Sequence, residues 1–394
     1  MTIFNRLAKV IQPSRNNFLR KIGTKHQSGI LTRWLLLLFF SELPASPLFS
    51  AGQDSTTYPF SLGIRPQYGF IIIHSKDIVP VKNSYPFGLS LEMSWHLNSK
   101  KAFEQCLCFP RIGISSTLWD YDNTDILGRG INSIFFIEPF YGINNKVSFS
   151  FRAGAGLAYA NKPYDEITNP QNLSYSTRFS FALLVAANMN FRLSKKMMLS
   201  ISANYNHISN GGMKQPNKGI NYPTAGIGVD YYLRKPSFEK FPRTDWRQQS
   251  RKRDRFLISA FGTTRDVEID GEEKTYPAGG FNLRFSRQVS RVNAVGGGLE
   301  VMADWSIKAK VEETGQSTDY FLAGLLLGND FLLGQFLFGQ QFGVYVYHPH
   351  VNNADFFQRY FLDYFFTKNI SGGIGLKAHG HVADFLDFRI GFVF

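Results

Sequence analysis

The side chains best suited to chemistry lie in the segment 204–230. His207 and Ser209 stand two residues apart and are followed by Asn210, Gly211, Gly212, Asn217, Gly219 and Asn221. On an extended strand a His and a Ser at this spacing project from one face and come within hydrogen-bonding reach. That is the minimum arrangement for an imidazole base that takes the proton of a serine hydroxyl and makes it a nucleophile. Glycines let the following backbone turn and present N–H groups, and Asn side chains donate as well. Asn210, Gly211, Gly212 and Asn217 are therefore the candidates to hold the oxyanion formed when such a nucleophile attacks a carbonyl. Taken alone, His-x-Ser is more often the end of a surface strand before ordinary turn residues.

The flanking segments decide where these groups point. Ile201, Ala203, Tyr205, His207 and Ser209 share one strand face, and Ser202, Asn204, Asn206 and Asn210 lie on the other. After the loop, Asn221, Pro223, Ala225, Ile227, Val229, Tyr231 and Leu233 share a face that is again apolar. An apolar face set against a polar one is the pattern of a membrane-barrel strand, with lipid on one side and a lumen on the other. His207, Ser209 and Asn221 are thus expected on the lipid side, near the strand ends. Polar groups there are costly unless they satisfy one another.

The same alternation recurs along the chain. Strands are expected at 58–74, 86–97, 106–120, 129–142, 147–161, 176–193, 196–209 and 219–233, with long and short connections in alternation. A further set follows at 255–267, 276–290, 292–306, 318–329, 331–348, 356–367, 369–379 and 382–394. The composition, with 38 Phe, 18 Tyr and 35 Gly and only 19% charged residues, suits such strands. No run of about 18 apolar residues suggests a helical span. The fold class is therefore all-β: an antiparallel transmembrane barrel of eight strands over 56–234, and about eight more strands over 255–394. The halves resemble each other, as in Tyr85-Pro-Phe-Gly against Tyr276-Pro-Ala-Gly, which suggests a tandem duplication. In the second half His379 matches His207, but His381 stands where Ser209 would be, and no Gly/Pro/Asn loop follows. One 16-stranded barrel is the alternative; the charged stretch 235–254 between the halves favours two.

Residues 1–51 read as a signal peptide. Seven basic residues precede the first acid, Glu42, and the apolar run Trp34–Phe40 leads into small residues and prolines. The net charge of +13 comes from this leader and the linker, so no basic face suggests nucleic acid as a partner. Cys106 and Cys108 are expected on one strand face as packing residues, since a Cys-x-Cys bridge is geometrically poor. The acidic loop 120–125 has incomplete spacing for Ca²⁺. No metal site and no cofactor is expected.

The longer pattern, His207-x-Ser209-Asn210 followed by Asn217-x-Gly219 and a Gly-rich strand, resembles the lipid A 3-O-deacylase (PagL), or acyloxyacyl hydrolase-like, family over about 58–234. That resemblance implies an eight-stranded barrel in the outer membrane of a Gram-negative bacterium. It implies a serine esterase whose active site faces lipid, with His207 as base and Ser209 as nucleophile. Asn210, Asn217 and the amides of Gly211 and Gly212 would be the oxyanion set. The partners it implies are lipid A or lipopolysaccharide and outer-membrane lipid; a homodimer is a further candidate. Where the type members of the family carry a Glu to orient the His, this chain has Asn221. An Asn can fix the imidazole tautomer but cannot stabilise imidazolium charge equally. Asp165 and Glu166, in an outer loop, are the acids that could replace it. A non-catalytic barrel, channel or structural, with a relict site is the competing expectation.

Overall fold

A computed structural model describes residues 58–249, 253–315, 319–349, 355–380 and 382–394. The expected signal peptide lies outside the described residues. The first eight strands are β1 (Phe60–Gly69), β2 (Phe87–His96), β3 (Phe109–Asp120), β4 (Arg129–Tyr141), β5 (Val147–Ala160), β6 (Phe179–Arg192), β7 (Met197–Ser209) and β8 (Ile220–Tyr232). They form an antiparallel barrel closed by pairing of β1 with β8. The second eight are β9 (Asp254–Ile269), β10 (Glu272–Gln288), β11 (Asn293–Asp304), β12 (Phe321–Leu333), β13 (Phe336–Tyr347), β14 (Phe356–Phe365), β15 (Ile370–His379) and β16 (Val382–Val393). They close a separate barrel through β16 and β9. The chain thus forms two barrels rather than one of sixteen strands.

Alternation builds both walls. In β4, Ile131 and Phe135 are exposed, while Asn132, Ile134, Phe136 and Glu138 are buried inside. In β7 and β8, Ile201, Tyr205, Ile227 and Tyr231 are exposed and Ser202, Asn204, Asn206 and Asp230 are buried. An outward apolar belt of this kind is stable against hydrocarbon, and closure leaves no strand edge unpaired there.

The polar inner faces fill the lumens with paired charges. In the first barrel Arg152 bridges Glu92 (2.6 Å) and Glu138 (2.9 Å), and Arg111 bridges Glu138 (2.8 Å) and Asp230 (3.0 Å). A cavity of about 10 Å³ remains among Arg65, Glu92, Arg152 and Asn204, at most room for a single water. In the second barrel Glu300 accepts from Arg359 (2.7 Å) and Lys377 (3.1 Å), and Arg284 pairs with Asp330 (2.6 Å). Each of these buried charges has an oppositely charged partner, which offsets the cost of removing it from water.

Three local features depart from the sequence reading. β1 stops at Gly69; the chain then makes a short 3-10 helix, Lys76–Val81, capped by the Ser75 side chain on Asp77 N–H. Cys106 lies at the end of the helix Lys100–Cys106 rather than on a strand, and it is disulfide-bonded to Cys108. A strand would hold these side chains in a geometry unsuited to a bridge. Here the helix end, with Leu107 in the left-handed conformation, brings the Cα atoms to 5.0 Å. The linker, expected only as a charged stretch between the halves, is held by aromatic contacts. Phe238 packs on His96 and Phe109, and Phe241 on Phe103, at the end of the first barrel away from His207.

Candidate active site

Inward anchors set the geometry of the outward groups. Ile208, Ile220 and Tyr222 are fully buried in a cluster with Trp119, Tyr121, Tyr175, Ile78 and Val81 that closes one end of the first barrel. The Tyr222 hydroxyl accepts from Asn132 Nδ2 at 3.1 Å. With Ile208 turned inward, its neighbours His207 and Ser209 must turn outward. Ile220 and Tyr222 do the same for Asn221. The register sets His207 directly opposite Asn221.

The three side chains meet. His207 Nε2 lies 3.0 Å from Ser209 Oγ, and His207 Nδ1 lies 2.7 Å from Asn221 Oδ1. All three are half-buried on the outer wall. A fourth group, which the sequence reading did not single out, completes the chain. His74 Nδ1 lies 3.3 Å from Asn221 Nδ2, and His74 Nε2 lies 3.0 Å from the Lys218 carbonyl oxygen. A bridge between Ile72 and Asn221, beyond the end of β1, brings His74 there. No local spacing could have revealed it, since the partners lie 147 residues apart.

Among the described residues no carboxylate bonds His207. Asp165 instead accepts from the Ile167 and Thr168 amides and the Thr168 hydroxyl. Those bonds hold its carboxyl below the ordinary range. Glu166 is exposed in the same loop. Asn221 therefore stands alone at His207 Nδ1.

The loop 210–219 is tightly specified. Asn210 is buried. Its Nδ2 donates to the Lys214 carbonyl (2.7 Å) and to Ser176 Oγ (3.1 Å), and its Oδ1 accepts from Gly212 N–H (3.1 Å). Asn210 N–H donates to Asn217 Oδ1 at 2.9 Å. The Asn210 amide and Gly212 N–H are thus occupied in shaping the loop. Gly211 N–H and Asn217 Nδ2 make no hydrogen bond within the described residues, which leaves them the donors of the expected set able to meet a ligand.

Gly211, Gly212 and Gly219 have φ of +69°, +84° and +69°, where an L side chain is strained. At Gly219 a Cβ would also come within 3.0 Å of His207 Cε1, so glycine leaves room for the imidazole. At Gly211 it would come within 2.5 Å of Leu386 Cδ1, a side chain of β16. The second barrel therefore lies against the loop.

Paired walls, apolar outside and charged within, define an outer-membrane β-barrel, here with a His–Ser–Asn chain on its outer surface. A family model described as lipid A 3-O-deacylase (PagL) matches residues 87–231, and one described as acyloxyacyl hydrolase, C-terminal domain, matches residues 254–394. Each covers a little over a third of the chain, the first lying over the barrel that carries His207 and the second over the other barrel.

Similar solved structures include Neisserial surface protein A, at 12% identity and a TM-score of 0.31, covering 44% of this chain and 97% of that one. The outer membrane enzyme PagL is similar at 16% identity and a TM-score of 0.30, covering 42% of this chain and 97% of that one. No curated protein matches the chain.

Proposed function

We propose that the protein is a serine esterase of the Gram-negative outer membrane that removes an ester-linked acyl chain from the lipid A part of lipopolysaccharide. The observation that carries this reading is the unbroken Ser209–His207–Asn221 chain on the lipid-facing wall, at 3.0 and 2.7 Å. A substrate anchored in the bilayer meets an enzyme from that side.

In this mechanism His207 Nε2 takes the Ser209 proton as Oγ attacks the ester carbonyl. Gly211 N–H and Asn217 Nδ2 stabilise the oxyanion, while Asn210 holds the loop that presents them. Asn221 Oδ1 accepts from His207 Nδ1–H and keeps Nε2 free to act as base. The imidazolium then protonates the leaving sugar oxygen. Water, activated by the same His, attacks the acyl-enzyme and releases the fatty acid. The neutral Asn221 supplies orientation without charge, so the rate is expected below that of an enzyme with a carboxylate at this position.

Mass spectrometry of lipid A from cells expressing wild type and Ser209→Ala tests the reading. Loss of one acyl chain in the wild type alone is the expected result; identical acylation in both would refute it. The absence of charge at Asn221 favours a second reading, a barrel with a relict site, and that outcome would support it.

A further inference from the structure

We infer that His74 is a positioning residue that sets the tautomer of His207 through Asn221. The inference rests on the proposed esterase reading for its consequence but not for its geometry.

Lys218 O can only accept, so His74 Nε2, 3.0 Å away, must carry a proton. In a neutral imidazole the other nitrogen is then a bare acceptor. His74 Nδ1 lies 3.3 Å from Asn221 Nδ2 and 3.4 Å from the Ile72 carbonyl. Only the amide can donate to a lone pair, so Asn221 turns its NH₂ to His74. Its Oδ1 then faces His207 Nδ1, at 2.7 Å. An acceptor there requires Nδ1–H on His207, which leaves Nε2 unprotonated, 3.0 Å from Ser209 Oγ. The direction of every bond follows from the Lys218 carbonyl.

That carbonyl is itself fixed. Lys218 N–H donates to Leu173 O at 3.0 Å, Gly219 N–H donates to Ser174 O at 2.7 Å, and Lys218 Nζ pairs with Asp77 at 2.9 Å. The Lys218 ammonium holds the exposed Asp77 carboxyl below its ordinary range.

An amide is ambiguous where a carboxylate is not. A carboxylate beside His207 offers oxygen whichever way it rotates. An Asn can rotate and present NH₂ instead, which would place the His207 proton on Nε2 and remove the base. His74 supplies the missing asymmetry. It touches none of the reacting atoms, so its loss should lower kcat and leave KM unchanged.

The test reads the tautomer directly. In ¹⁵N-histidine-labelled full-length protein in detergent micelles, His207 is expected as the Nδ1–H tautomer by its ¹⁵N shifts. In His74→Phe a second, Nε2–H population should appear, and lipid A deacylation should fall about tenfold, the lower end for loss of an outer-shell partner. His74→Gln, whose amide can donate to Lys218 O and accept from Asn221, should keep the wild-type tautomer. In His74→Phe/Asn221→Asp the carboxylate should restore Nδ1–H. An unchanged single tautomer in folded His74→Phe would overturn the inference, as would a mixed tautomer in His74→Gln with the barrel intact. If wild type leaves lipid A untouched while the tautomer still shifts, the esterase reading fails and the role of His74 stands.

Discussion

The two barrels have the same architecture, and the difference that bears on chemistry lies at one pair of strand ends. Each has eight antiparallel strands closed first to last, and each lumen is filled by buried ion pairs. At the end of β7, His207 faces outward, opposite Asn221, and residues 210–219 form a glycine-rich loop. At the end of β15 a register shift falls between Lys377 and Ala378, just before His379. His379 Nε2 then meets the hydroxyl of Tyr345, a residue of the buried inner face, at 3.0 Å. β16 begins at Val382, with no room for a comparable loop. His381, expected where Ser209 would be, lies outside the described residues. The barrel is thus a neutral scaffold. Chemistry on its wall needs an outward His, a cross-strand partner in register and a loop long enough to bring donors to the same spot.

The largest expected effect separates the two ends outright. Ser209→Ala or His207→Ala should reduce lipid A deacylation by on the order of 10³-fold or more, whereas His379→Ala should leave the lipid A mass spectrum unchanged. A loss of deacylation in His379→Ala would show that the second barrel shares in the chemistry.

Next comes the likeness of the two lumens. Glu138→Ala and Glu300→Ala each strand buried cations and should each cost roughly 3–5 kcal/mol in urea unfolding of the micellar protein. If the barrels are separate folding units, Glu300→Ala should leave the transition of the first barrel, followed by fluorescence of Trp95 and Trp119, in place. Coincident shifts would mean that the barrels unfold together.

Adding charge at the site is a smaller change. Asn221→Asp places a carboxylate where the amide oxygen now meets His207 and should raise kcat by about tenfold, since it can stabilise the imidazolium. A fall in kcat would indicate that the neutral relay through His74 is the better arrangement in this chain.

The smallest effect probes the contact between the barrels. Gly211→Ala puts a methyl group at positive φ against Leu386 and should lower the deacylation rate about fivefold, equivalent to roughly 1 kcal/mol. Leu386→Ala in the same chain should recover part of that loss; no recovery would show that backbone strain alone is responsible.

Much of this was legible in the residue pattern, because a two-residue period maps directly onto the two faces of a strand. It determined the sixteen strands, usually to within a few residues, the linker between two sets of eight, and the outward direction of His207, Ser209 and Asn221. The family resemblance drawn from the His-x-Ser stretch covered only the first half; the match over 254–394 extends it to the second. Other features depend on atoms distant in sequence. Closure of β1 on β8 brings His74 to Asn221, and burial of Asn210 takes its amide away from the front of the site. A helix turn, not a strand, joins Cys106 to Cys108. The inward charges were visible as polar positions, but which Arg meets which Glu is fixed only when the barrel closes. Alternation is a local property that a chain carries in its order of residues. Hydrogen-bond direction and charge pairing are properties of groups brought together across the fold, and only the tertiary structure decides them.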